Sequence, residues 1–475
     1  MLKATTRSFI LVLMLAASST QAQSIAMDSL FETLNRQGLF NGCVLVAEDG
    51  KPVYEKAFGY ANFSTRKSLN NQSIFELASV SKQFTAMAIM QLHEKKELDY
   101  EDDIRKYFPL LPFENIHISH LLHHTSGIPE FLQWNEKQVD VKRVNDNHDI
   151  LAALVKNTTT VYSKPGEQWA YSNTNYVLLA LIVEKVSGIS FADYLTKNIF
   201  SPAGMSNTHV YPQRSASQRL ENFAEGYLYD PKKDGFVISD SIEGNRYQYY
   251  FDGVAGPYGI SSTTEDMLKW DKALNSDKLI SSEEQQLGYM SSMLNNGKPA
   301  AIMGFAYGFG WLIQQPKEHT GKIYLHTGGY PGYTTIISRY PEKNKVIIIL
   351  TNTSNITNIF QLWAATEDIL FNRPFEIPKA LPFKKSIFLT PSQIHEIEGV
   401  YSLSPGVKYV ITSDLNGVYA QISGQPKAQI YPETALDFFY TIVSAKLSFK
   451  RDGKGKIKGL SLFQFGREFR AKKDD

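Results

Sequence analysis

Apolar and polar positions come in short bursts towards both ends of this chain, with longer apolar stretches between them. Near the amino end, Cys43-Val44-Leu45-Val46-Ala47 and Pro52–Phe58 flank Glu48-Asp49-Gly50-Lys51. Asp-Gly between two such bursts predicts a β-hairpin, because a two-residue turn needs residues that accept positive φ. Much later, Ile323–His326, Thr334–Tyr340 and Val346–Asn352 again read as strands, parted by turn residues such as Pro341-Glu342-Lys343-Asn344. Between them, residues 79–98 carry Phe84, Met87, Ala88, Ile89, Met90 and Leu92 with little polar face, which predicts a central buried helix. A second apolar helix is predicted over 176–187, stopped by Gly188. Strands at both ends and helices between predict an α+β fold: one antiparallel sheet flanked by helices, with a helical subdomain, not an alternating βαβ chain.

The pattern then breaks. Asn372–Pro391 holds Pro374, Pro378, Pro382 and Pro391, which disfavour regular structure and read as a linker. Beyond it, Val407–Thr412, Gly417–Ile422, Ala428–Tyr431, Phe438–Ile442, Lys446–Lys450 and Gly459–Phe465 are short strand candidates. Closely spaced strands over 392–475 predict a small all-β barrel. At the other end, Lys3 and Arg7 precede the apolar run Phe9–Leu15, and small residues lead to Ala22. That order predicts a secretory signal over 1–22 and an exported protein, periplasmic or extracellular. The run is too short for a spanning helix, which needs about 20 apolar residues. No other segment is long and apolar enough, so no transmembrane segment is expected after cleavage. The expected organisation is a signal at 1–22, a main domain at 23–371, a linker at 372–391 and a barrel at 392–475.

Composition narrows the function. Lys and Arg number 49 against 48 Asp and Glu, a formal charge of +1 over 475 residues. With no basic excess to meet a phosphate backbone, nucleic acid is not an expected partner. Cys43 is the single cysteine, so neither a disulfide framework nor a multi-cysteine metal site is available.

Three stretches carry candidate chemistry. In Ser79-Val80-Ser81-Lys82, helical spacing puts Ser79 and Lys82 on one face. A lysine in an apolar helix loses protons more readily, and the free amine is then a base within reach of the hydroxyl. Tyr171-Ser172-Asn173 offers a phenol for proton relay and an amide for a carbonyl or an amine, although Ser172 or Asn173 also suits a helix N-cap. His326-Thr327-Gly328-Gly329 is either a strand edge against which a substrate backbone lies or a glycine-rich turn. As a strand, it would let the N–H groups of Ser79 and Gly329 form an oxyanion hole.

The order and separation of these three stretches resemble the penicillin-binding-protein-like serine hydrolases of the serine β-lactamase superfamily. Phe75-Glu76-Leu77-Ala78, Leu121–Ile128, Pro165-Gly166, Phe200–Met205 and Gly256–Ser262 are also similar to that family. The resemblance covers about residues 25–370. Residues 392–475, notably Gly424-Gln425-Pro426, look like the lipocalin-like domain appended to some members. The resemblance implies Ser79 as acylating nucleophile, Lys82 as its base and Tyr171 as relay. It implies Asn173, His326, Thr327 and Gly328 as substrate ligands, with Asn173 also on Lys82. His326 stands where many members have lysine, and Pro257-Tyr258 replaces smaller residues. The histidine looks more like the D-amino-acid peptidase and esterase branches than a lactamase.

No cofactor or metal is implied. His117, His120, His123 and His124 cluster in sequence and His120 and His124 have i, i+4 spacing, but Leu121-Leu122-His123 lacks the glutamate of a zinc motif. Ser126 lacks the Gly-x-Ser-x-Gly setting of another serine triad, and Gly308-Phe309-Gly310 has no helix behind it. The expected partner is a small peptide, ester or β-lactam. The expected activity is a peptidase on D-residue-containing or cell-wall peptides. Esterase or lactamase action on the same machinery, and a binding module with little turnover, are the alternatives.

Overall fold

A computed structural model describes residues 21–134, 137–157, 160–242, 245–302, 304–354, 356–379, 384–404, 407–415, 417–422, 427–441, 445–464 and 467–474. Almost all of the stretch expected to be a signal, and Gly424-Gln425-Pro426, lie outside these residues. By its contacts the chain divides into two compact units. One holds the residues up to Gly226 together with Tyr247–Pro378; the other holds Tyr227–Arg246 and Lys379–Asp475.

The first unit is built on an eight-stranded antiparallel sheet. Its order is Ala301–Ile302, Phe305–Tyr307, Leu312–Lys317, Gly321–Tyr330, Tyr333–Tyr340, Lys345–Thr351, Gly42–Glu48, Lys51–Phe58. Early and late strands therefore join, with Cys43 opposite Leu350 and Leu45 opposite Ile348. The predicted turn is in place: Asp49 and Gly50 have φ of 50° and 68°, and Glu48 pairs with Lys51 across them. Successive strand residues point to opposite faces, so the sheet carries two cores. Cys43, Leu45, Ile348 and Leu350 face one, whereas Val44, Val46, Ile347 and Ile349 face the other.

Helices cover both faces. Residues 21–36 are helical and bury Met27, Leu30, Phe31 and Leu34, a 3.6-residue stripe, in the second core. The helix Ile359–Leu370 adds Leu362, Trp363 and Ile369 there. On the first face lie the buried helices Lys82–Glu94 and Asn173–Ser187. Gly188 ends the latter at φ 73°, as its position predicts. The expected helix over 79–98 divides in two, because Ala78–Ser81 forms a 3-10 turn and the α-helix begins only at Lys82.

The second unit contains a closed barrel of eight antiparallel strands in sequence order. Tyr401 pairs with Lys473 to close it, and Ile411, Phe438, Leu447 and Leu460 fill its interior. Its last strand, Arg467–Lys473, gave no sequence signal: it is Arg-Glu-Phe-Arg-Ala-Lys-Lys, and of its side chains only Ala471 is buried. Pro391–Ile397 is a short helix whose N-cap, Thr390, forms a capping box with Gln393. The hairpin Tyr227–Asp230 with Gly235–Ile238 also belongs to this unit, where Ser386 N–H donates to the Pro231 carbonyl.

In the first unit a buried ion pair fastens a helix to the sheet. Arg339, on Tyr333–Tyr340, is 2% exposed and bonds Asp271 of the helix Thr264–Leu274 at 2.6 Å. Asp271→Ala leaves that guanidinium buried without its counter-charge. A loss of about 3–5 kcal/mol is expected, read as a lower urea midpoint by tryptophan fluorescence. A change under about 1 kcal/mol, the range of exposed pairs, would show that water screens the pair.

Candidate active site

Ser79 stands in the 3-10 turn, where residues three apart are eclipsed, and this brings Lys82 directly alongside it. The preceding Ala78 is left-handed at φ 51°, a strained state for a residue with a Cβ. The Lys82 side chain is fully buried. Its Nζ lies 3.3 Å from Ser79 Oγ, 2.8 Å from Asn173 Oδ1 and 2.9 Å from the Pro257 carbonyl oxygen. Burial lowers its pKa from 10.5 to about 7, only partly opposed by the Glu130 carboxylate.

The amine geometry follows from its partners. The Pro257 oxygen and Asn173 Oδ1 can only accept, so they take two N–H donors of a neutral amine. The third position, the lone pair, then faces Ser79 Oγ. Asn173 is held the right way round by Glu130, whose Oε2 accepts from Asn173 Nδ2 at 3.2 Å and from its backbone N–H at 2.6 Å. The helix Asn173–Ser187 is thus capped by Glu130, and Ser172 makes no side-chain cap. Sequence reasoning missed Glu130. A signal existed: it is the sole acid between Leu121 and Leu132.

Tyr171 brings its ring to 4.7 Å from Lys82 Nζ. Its hydroxyl is buried and close enough for Ser79 to favour its ionised form, yet the two do not meet as a formed hydrogen bond. Burial dominates and pushes the phenol pKa up.

The strand Gly321–Tyr330 forms the opposite wall. His326 to Gly329 are paired strand residues, and the turn falls at Pro331-Gly332. Gly328 presses against the turn that carries Ser79: a Cβ there would sit 2.1 Å from the Leu77 carbonyl oxygen. Thr335 Oγ1 donates to that same oxygen at 2.8 Å. Gly329 is exposed, with open space where a Cβ would point. Thr327 is half-buried beside it.

His326, expected among the substrate ligands, has both ring nitrogens engaged. Nδ1 lies 2.7 Å from the Thr327 carbonyl and Nε2 lies 3.0 Å from the Tyr307 hydroxyl. The carbonyl can only accept, so Nδ1 carries the proton and Tyr307 donates to Nε2. His124 Nε2 must then donate to Tyr307 at 3.2 Å, while its Nδ1 accepts the Ser172 N–H at 3.2 Å. A one-way chain of neutral groups results. Burial accordingly holds His326 down at about 3 and His124 well below its ordinary value. Tyr307, beside the Gly308-Phe309-Gly310 stretch, went unremarked in the sequence. The other histidines of the 117–124 stretch turn elsewhere: His117 to Glu101, His120 to the His117 N–H and His123 to the Tyr307 carbonyl. Ser126 is buried and donates to Asn175. Among the described residues no three His, Cys, Asp or Glu side chains converge as metal ligands.

The depressed lysine has a consequence for stability. Folded Lys82 binds its proton near pH 7 and unfolded lysine near 10.5. Between these values the unfolded chain holds more protons, so the stability attached to Lys82 is lowest below pH 7 and rises with pH across that window. Lys82→Met removes the dependence. Relative to wild type, the variant should fare best at pH 6 and lose roughly 2–4 kcal/mol of that standing by pH 10. Urea midpoints at the two pH values measure it. A difference that does not move with pH would mean that folded Lys82 keeps an ordinary pKa.

Comparison with known proteins places this geometry. A family model described as Beta-lactamase matches residues 27–367. Penicillin-binding protein 4* of Bacillus subtilis (strain 168) is 37% identical over 443 residues, 93% of this chain and 97% of that one. Protein flp of Staphylococcus aureus (strain MRSA252) is 29% identical over 335 residues, 69% of this chain and 62% of its own. Among solved structures, a penicillin binding protein from Bacillus halodurans has a TM-score of 0.61 at 26% identity, covering 71% of this chain and 98% of that one. An octameric penicillin-binding protein homologue from Pyrococcus abyssi shares the fold at TM-score 0.62 and 24% identity, covering 94% of this chain and 98% of that one. The chain belongs to the β-lactamase family of serine hydrolases.

Proposed function

We propose that the protein is an exported peptidase that works through an acyl-enzyme on Ser79, with D-residue-containing or cell-wall peptides as substrates. The observation that carries this reading is the buried Lys82 amine, 3.3 Å from Ser79 Oγ and fixed by two acceptor oxygens. As Ser79 Oγ attacks the substrate carbonyl, its proton passes to the Lys82 lone pair. The oxyanion faces the backbone N–H groups of Ser79 and Gly329. Tyr171 hands a proton to the leaving amine, is reprotonated from Lys82, and water then cleaves the Ser79 ester. Asn173 and Thr327 line the path of the substrate backbone.

The name of the B. subtilis relative speaks of penicillin binding. A penicillin is a strained cyclic amide that a serine opens to an acyl ester, as it would a peptide. The signal expected over 1–22 from the sequence would go with this substrate class, since wall peptides lie outside the cytoplasm. One observation favours an esterase on the same machinery, with a lactamase the remaining alternative. Neutral, hydrogen-bonded His326 gives the strand no cation to grip a free carboxylate. A panel of D-alanyl peptides, short acyl esters and a chromogenic cephalosporin separates these readings by relative kcat/KM.

The acyl-enzyme is tested directly. Intact and peptide mass spectrometry after a penicillin or slow ester should place one adduct on Ser79; an adduct on Ser81 or Ser126 sinks the assignment.

The base is tested by pH. Acylation should rise through about pH 7 and level off above it, because Lys82 must be neutral. Lys82→Ala should cost on the order of 10²–10⁴ in rate. Lys82→Arg should not restore it, since guanidinium stays protonated. Retention of most of the rate in Lys82→Arg would leave lysine only a charge and move the base to Tyr171.

A further inference from the structure

Directly beneath the nucleophile turn lies a carboxyl group that the chemistry above leaves unused. Glu76 is 2% exposed and sits in the short strand Phe75–Glu76, which pairs with Ile260–Ser262. One oxygen, Oε1, accepts two backbone N–H groups, Ala78 at 3.0 Å and Gly259 at 2.9 Å. The other, Oε2, takes Gln213 Nε2 at 3.3 Å and Ser261 Oγ at 3.4 Å.

The two N–H groups belong to two turns with positive φ, of which only the one at Ala78 is strained. Ala78 holds φ 51° immediately before Ser79, and Gly259 holds φ 86° at the end of Gly256–Gly259. That second turn supplies the Pro257 oxygen on which Lys82 Nζ rests, and its Gly256 oxygen accepts from Thr85 of the same helix. A single carboxylate oxygen thus links the turn presenting the nucleophile to the turn holding the base. Burying a carboxyl group costs free energy unless its bonds are made, and these four bonds meet that cost.

We propose that Glu76 is a positioning residue for acylation, bracing through Oε1 the Ala78 turn that aims Ser79 and the Gly259 turn that carries the acceptor of Lys82. This rests on the reading of Ser79 and Lys82 as nucleophile and base. It separates reach from charge. Glutamine keeps the reach and an accepting oxygen but loses the charge. Aspartate keeps the charge but falls one methylene short of two N–H groups whose positions the surrounding strands fix.

The test uses the full chain and fluorescent penicillin, with the maximal acylation rate and the half-saturating concentration measured separately for Glu76→Gln, Glu76→Asp and Glu76→Ala. Unfolding midpoints identify the variants that are folded at the assay temperature. Glu76→Gln should keep the maximal rate within about threefold, while Glu76→Asp and Glu76→Ala should lose about 10²-fold, the scale of a misplaced reacting group. Half-saturation should move less than about threefold, because a misaimed nucleophile slows the chemical step without loosening the ligand. If Glu76→Ala does not fold, the Gln and Asp pair decides. An active Asp with an inactive Gln variant, equal loss in both, or no loss in either overturns the brace. Labelling of Ser79→Ala is the independent control. Persistence there strikes the nucleophile reading, whereas its loss alongside unaffected Glu76 variants strikes only the brace.

Discussion

The whole site depends on keeping one amine dry. Lys82 begins its helix inside the larger of the sheet's two cores, with Phe84, Met87 and Ile89 following it into the same interior. A charged ammonium there would be poorly solvated, and this drives its pKa to about 7. Two acceptor oxygens make the neutral form specific rather than merely tolerated, because they use both donors and leave the lone pair for Ser79. A more exposed lysine would stay charged, and a more isolated one would have no fixed lone pair. Function therefore sits at the boundary between burial and hydrogen bonding, a balance set by helix packing.

That balance is met by segments far apart in sequence. Ser79 and Lys82 come from one turn, Asn173 from the start of a second helix, and Pro257 from a glycine-bounded turn. Gly328 allows the opposing strand to come within touching distance of Leu77, which any side chain would prevent. The strain at Ala78 survives because Thr335 and Ile260 hold Leu77 from either side. Such features tend to cluster where geometry is being enforced against local preference.

Much of this was legible in the chain and some was not, for identifiable reasons. Strand alternation and the Asp49-Gly50 turn are local, and they appear where expected. Ser-x-x-Lys was legible as a pair, but its 3-10 geometry was not, since only tertiary contacts set φ at Ala78. Glu130 and Tyr307 act through partners 43 and 19 residues away, with no local period to mark them. The barrel's last strand escaped because its outward side chains are nearly all charged and a single inward Ala471 carries no pattern.

The histidine chain shows how a change of residue type alters a site without removing it. A lysine on that strand would place a second cation opposite Lys82, and each charge would disfavour the other. His326 instead gives its Nδ1 proton to the neighbouring carbonyl and accepts from Tyr307, which in turn is held by His124. The His124 ring packs tilted against Tyr171, centroids 4.3 Å apart, so the same neutral chain that borders the strand also packs on the phenol. The wall of the site is thereby rigid and uncharged. Such a wall can offer shape and backbone hydrogen bonds, but no cation, to whatever lies against it.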